Sequence, residues 1–102
     1  MSGDELDLVV FRIIAAAGTA KGLYAEAVQL AREGKFDQAD AKLKEGEDAF
    51  LDGHRAHADL LACMEETSMN LMIVHAEDQM MAAETYRMSA DDMVALLKQL
   101  KK

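Results

Sequence analysis

Apolar residues return at three- and four-residue steps along almost the whole chain, the signature of helices that bury one face. Leu6, Val9, Val10, Ile13, Ala17, Ala20, Tyr24, Ala27 and Ala31 trace one such stripe and predict a first helix over about 4–33. The run "REGKFDQAD" interrupts it. Gly34 suits the left-handed residue after a helix C-terminus, and Asp37 suits the cap of the next N-terminus. Ala39, Leu43, Gly46, Phe50, His57, Leu61 and Met64 form a second stripe, with His54 beside it, and predict a helix over about 37–64. Glycine costs about 1 kcal/mol relative to alanine inside a helix, so Gly46 points to a neighbouring backbone that approaches closely. In "EETSM", Thr67 and Ser68 are candidate caps for a third helix over about 69–99.

The third helix carries two apolar stripes. Ile73, Ala76, Met80, Ala83, Ala90, Val94 and Leu97 supply what an antiparallel three-helix bundle needs to close its core. Leu71, Val74, Asp78, Met81, Thr85, Met88 and Asp92 make a second line with the spacing of a coiled-coil seam. A small bundle has no internal use for that line. Self-association through the third helix explains it, with the polar residues setting register and copy number.

Composition narrows the class further. The chain has 102 residues, no proline, eight methionines and 5% aromatics, which favours long uninterrupted helices in one small all-α domain spanning 1–102. A net charge of -8 argues against nucleic acid or an anionic membrane surface as partner. No apolar run reads as approaching the roughly 20 residues that span a bilayer, and "MSGDELDLVV" lacks the pattern of a signal peptide. The expectation is a soluble, cytoplasmic protein without membrane insertion. Cys63 is the single cysteine, which excludes an intramolecular disulfide and reads as a small buried hydrophobe.

The chemistry concentrates in "MIVHAEDQMM", Met72 to Met81, where a histidine, two carboxylates and an amide interrupt methionine and aliphatic residues. At about 100° per residue, Asp78 lies roughly 60° round the helix from His75, Gln79 roughly 40° on the other side, and Glu77 nearly opposite. His75 therefore sits at the edge of the seam, on a border between packed and open surface.

The segment "VHAEDQMM" resembles the "HAQDHLM" motif of the lactose/cellobiose-type enzyme IIA proteins of the bacterial sugar phosphotransferase system. The likeness extends over "FRIIAAAGTAKGLYAEAVQLAREGKFDQADAKL", which is similar to that family's first helix, its "AG.A" segment and its helix-to-helix corner, and His54 falls where the family often carries a histidine. The resemblance implies a homotrimer of three-helix subunits acting as a phosphocarrier. By it, His75 accepts a phosphoryl group from phosphorylated HPr and passes it to a cysteine of the IIB component, during uptake of lactose, cellobiose or a related β-glucoside. By it also, Asp78 lies near the threefold axis and binds a divalent metal, expected to be Mg²⁺, with its two symmetry mates. The chain departs from the pattern at Gln79, where the family has a second histidine, at Glu77, where it has glutamine, and at His57–Ala58, where "QT" is common. The connection between His54 and His75 is also a few residues shorter.

Elementary chemistry is consistent with that reading. A neutral imidazole is a competent nucleophile near neutral pH, and a phosphorus–nitrogen bond remains transferable because imidazole leaves readily when protonated. Like charges oppose a phosphohistidine by about 4 kcal/mol each at 4 Å and an effective dielectric near 20, so Glu77 must point away and Asp78 needs a counter-ion. Three carboxylates meeting on an axis would need one too, and Mg²⁺ takes six oxygens. His54 and His57 read as structural residues that border the site from the second helix. Two other classes fit the residues less fully: a trimeric interaction module without phosphoryl transfer, favoured by Gln79 and Glu77, and a metalloprotein using His75, Asp78 and His54 at one ion.

Overall fold

A computed structural model describes residues 1–101. Three long helices, α1 (Gly3–Arg32), α2 (Phe36–Ala62) and α3 (Leu71–Leu100), account for nearly all of it, with a 3₁₀ turn at Met64–Glu66 and no strand among the described residues. Partners ascend along α1 as they descend along α2, from Arg12 with Asp52 to Glu26 with Lys42. Likewise His57 meets Glu77 near one end of α2 and α3, while Asp40 meets Lys98 near the other. The result is a rod, 54 × 18 × 16 Å.

Local chemistry sets the helix ends. Ser2 Oγ accepts from Glu5 N at 3.1 Å and caps α1. At its other end Gly34 takes φ 79, the left-handed conformation that terminates a helix, and Gly34 N and Lys35 N close onto Ala31 and Leu30 carbonyls at 3.0 and 2.9 Å. The cap of α2 differs from the expectation. Lys35 occupies that position with no side-chain cap bond, and Asp37 lies inside the first turn, where its charge favours the positive end of the helix dipole. The cap of α3 differs as well. Asn70 Oδ1 accepts from Ile73 N at 3.0 Å, and Thr67 instead donates its hydroxyl to Cys63 O at 2.6 Å, fastening the 3₁₀ turn to the end of α2.

The core follows the predicted stripes of α1 and α2 and the first stripe of α3, with Leu6, Val9, Leu43, Met64 and Leu97 partly buried against it and one change on α2. Val10, Ile13, Ala17, Ala20, Tyr24, Ala27 and Ala31 of α1 and Ile73, Ala76, Met80, Ala83, Ala90 and Val94 of α3 are buried. On α2 the buried line runs through Gly46, Phe50, Gly53, Ala56, His57 and Leu60. Leu61, expected in the stripe, is exposed, and Leu60 takes its place in the core; a step of three or of four from His57 would reach either, so the packing of α2 against its neighbours decides. Gly46 admits the ring of Tyr24, a side chain where a backbone was expected. A Cβ there would stand 2.5 Å from Tyr24 Cε1. Cys63 is half-buried, with its thiol near the carbonyls of Asp59 and Leu60. Against the expectation that no apolar run approaches a bilayer span, α1 is by length and composition long and apolar enough to cross a membrane. In the bundle its alanine face is core.

Candidate functional site

His75 stands in the second turn of α3, on the segment that Asn70 starts and that Ile73, Ala76 and Met80 anchor in the core. Buried side chains at those three positions hold the backbone rigid while the imidazole, on the opposite arc, is exposed. An exposed ring on a fixed helix can present a nitrogen to a large reactant without any movement of the chain.

Its polar neighbours are drawn in three directions. Glu77 turns to α2, where His57 Nε2–H donates to its Oε2. His57 is the one buried polar side chain among the described residues, 7% exposed, and this bond satisfies its Nε2 while holding the carboxylate on the far side of α3 from His75. Gln79 turns to α1, where its Oε1 accepts from Lys21 Nζ. Asp78 is exposed and borders an apolar groove of about 250 Å³ between the end of α2 and the start of α3, lined by Leu60, Leu61, Met64, Ile73 and Val74. The seam residues Leu71, Val74, Met81 and Met88 are exposed in the single chain at 80, 43, 42 and 58%. Met80 is core, whereas Met69 and Met72 also lie open.

His54 is elsewhere. Its ring stacks on Phe50, centroids 6.2 Å apart, and it lines a groove shared with His57, Met81, Glu84 and Arg87 that does not include His75. Among the described residues no three His, Cys, Asp or Glu side chains gather into a metal site within one chain, so His75, Asp78 and His54 are not brought together around one ion. Asp91 and Asp92 are solvated.

Two contacts were not foreseen from the sequence. Lys21 is the sole cation of α1 between Arg12 and Arg32, and it lies in a run of small residues, "AGTAKG", which is the signal that could have singled it out. His57 and Glu77 both occupy positions where the resemblance leads one to expect an uncharged amide. Two departures at once are a signal that the positions touch.

Comparison with known proteins places these features. Residues 8–98 match the family described as the lactose/cellobiose-specific IIA subunit of the PTS system. The chain is 36% identical over 96 residues to the PTS system galactose-specific EIIA component of Lactococcus lactis subsp. cremoris strain MG1363, an alignment covering 91% of this chain and 83% of the relative. Its fold superposes on the crystal structure of PtcA from S. mutans with a TM-score of 0.89 at 36% identity, over 96% of this chain and 99% of that one. With the IIA(chitobiose) of Escherichia coli, solved in solution in complex with HPr, the TM-score is 0.84 at 26% identity, over 95% of this chain and 97% of that one.

Proposed function

The chain belongs to the lactose/cellobiose-specific IIA family of the sugar phosphotransferase system, and from that premise we propose that it is a phosphocarrier whose acceptor is His75. The observation that carries the reading is the exposed imidazole of His75 on a rigid, core-anchored helix, with the Glu77 carboxylate tied away from it by His57. The donor is the phosphorylated form of HPr, and HPr is the partner with which the Escherichia coli relative was solved. The receiver is a cysteine of the IIB component, and the setting is the cytoplasm, during uptake of lactose, cellobiose or a related β-glucoside.

In the first transfer the lone pair of one His75 ring nitrogen forms the new phosphorus–nitrogen bond while the bond to the donor breaks and its electrons return to the donor. The other ring nitrogen keeps its proton, so the phosphorylated ring is a cation and a good leaving group. In the second, a thiolate forms a phosphorus–sulfur bond and the electrons of the phosphorus–nitrogen bond return to His75. Nothing in either step needs a lid or a deep pocket. An exposed nitrogen that two partners reach in turn is sufficient.

The working unit is an antiparallel three-helix bundle assembled as a homotrimer. The exposed line of Leu71, Val74, Asp78, Met81, Thr85 and Met88 on α3 supports this, and so does a second exposed line of the same spacing on α1, Leu8, Phe11, Ala15, Gly18 and Gly22. Asp78 supplies one hard carboxylate per chain from the middle of the seam. That donor fits a divalent ion such as Mg²⁺ only as a ligand shared among copies, where the ion neutralises like charges brought together by assembly.

Incubation with phosphoenolpyruvate, enzyme I and HPr tests the reading. Acid-labile phosphate is expected on the parent protein and not on His75→Ala, whose circular dichroism should be unchanged because an exposed side chain leaves no sealed cavity. An unlabelled parent would favour the interaction module, and label retained in His75→Ala would place the acceptor elsewhere.

A further inference from the structure

Among the described residues, the cations that tie the helices of this bundle together are, with one exception, neutralised by carboxylates. Arg12 meets Asp52, Lys42 meets Glu26, Arg87 meets Glu47 and Lys98 meets Asp40. Lys21 crosses from α1 to α3 and ends on a neutral amide, Oε1 of Gln79, with no carboxylate paired to it among the described residues. In a chain of net charge -8, an uncommitted ammonium in a partly buried contact requires a reason.

Its position supplies one. Gln79 follows His75 by one helical turn, and residues four apart on a helix are surface neighbours, about 5–6 Å between Cβ atoms. An ammonium has only donors, so it can hold only the amide oxygen. The Gln79 Nε2 hydrogens are thereby left to face away from Lys21. A phosphoryl group on His75 would bring close to two negative charges and three acceptor oxygens to that face.

We propose that Lys21 and Gln79 form a phosphoryl-holding pair beside His75: Lys21 supplies positive charge and fixes the amide, and Gln79 Nε2–H donates to a phosphate oxygen. Lys21 is a positioning residue in this scheme, acting through Gln79 and through its field. The inference rests on the phosphocarrier reading and deepens it. It divides charge and hydrogen-bond donation between two helices, so that the grip on the phosphoryl group depends on how α1 packs against α3.

The test is the equilibrium between phospho-HPr and the phosphorylated full-length chain, followed together with the ³¹P resonance of the phosphohistidine. Lys21→Met and Gln79→Leu are each expected to shift the equilibrium toward phospho-HPr by about tenfold, the order of a lost charge-assisted hydrogen bond. The double variant should lose more than either single one, because the Lys21 field acts on the phosphoryl group directly, but less than the product of the two losses, because Lys21 also acts by fixing the Gln79 amide. Lys21→Arg should retain most of the parent equilibrium constant and its ³¹P shift. A parent labelled on His75 whose equilibrium is unmoved by Lys21→Met or by Gln79→Leu would overturn this inference alone. Equal losses in Lys21→Arg and Lys21→Met would also overturn it, because packing and not charge would then be the cause. A parent that accepts no phosphate would remove the phosphocarrier reading and this inference with it.

Discussion

Tyr24 shows how a single residue records the fold. Its ring is almost wholly buried, meeting Tyr86 edge to face at 6.3 Å and filling the space that Gly46 leaves, yet its hydroxyl has no hydrogen-bond partner among the described residues. Burial pushes this phenol up to about 12, and the nearby Glu47 adds to the shift while Arg87 opposes it. The unfolded chain releases that proton near its ordinary value of about 10, and the folded chain holds it longer. The folded state therefore binds more protons in that interval, and the contribution is lost as pH rises from about 10 toward 12. Tyr24→Phe is expected to be neutral or up to about 1 kcal/mol more stable at neutral pH, since it removes an unpaired buried hydroxyl. It should also lose less stability than the parent between neutral pH and about pH 11. Urea unfolding at the two pH values checks both; a variant clearly weaker at neutral pH would mean that the hydroxyl has a partner. His57 poses the opposite case, a buried polar group whose Nε2 is paired, with Glu77.

At the scale of the element, α2 is the helix whose fit is tightest. Replacing Gly46 by alanine gains about 1 kcal/mol of helix propensity. The new Cβ, however, would lie 2.5 and 2.8 Å from Tyr24 Cε1 and Cδ1. A ring held between three helices cannot withdraw without disturbing its own packing, and overpacking of this kind costs about 1–3 kcal/mol. Gly46→Ala should therefore lower the melting temperature despite its better propensity, and a rise would show that the ring moves freely. The start of α3 carries the functional consequence of local structure. Asn70 sets where the helix begins, and hence which arc His75 occupies relative to the core residues Ile73 and Ala76.

For the whole molecule, a rod 54 Å long and 16–18 Å across offers little interior, so a large share of its apolar side chains must end outside. Leu71, Val74, Met81 and Met88 on α3 and Leu8 and Phe11 on α1 are exposed in the single chain. If three copies join along α3, Asp78 carboxylates meet, and withdrawal of divalent metal makes them repel or take up protons. Chelation by EDTA is accordingly expected to loosen the parent trimer in light scattering. Asp78→Leu should stay trimeric in EDTA, because exchanging clustered charges for packed apolar side chains is often neutral or stabilising. A parent that is monomeric at about micromolar concentration with metal present, or an Asp78→Leu protein that dissociates, would take Asp78 off the axis.

What could be read from residue order was whatever depends on a helix's own period. The stripes of α1 and α3, the corner at Gly34 and the exposed face around His75 follow from 3.6 residues per turn and from the tendency of apolar surface to leave water. Those causes act within a few residues. Choices between equivalent local solutions needed the tertiary structure. Leu60 and Leu61 are equally apolar, and only the phase of α2 against α1 buries the first. Thr67, Ser68 and Asn70 can all cap a helix, and the path of the chain after the 3₁₀ turn selects Asn70. The partners of His57 and Gln79 lie 20 and 58 residues away in sequence, Glu77 and Lys21. No local pattern encodes such pairings, because a polar side chain takes its partner from whichever helix the packed core brings beside it.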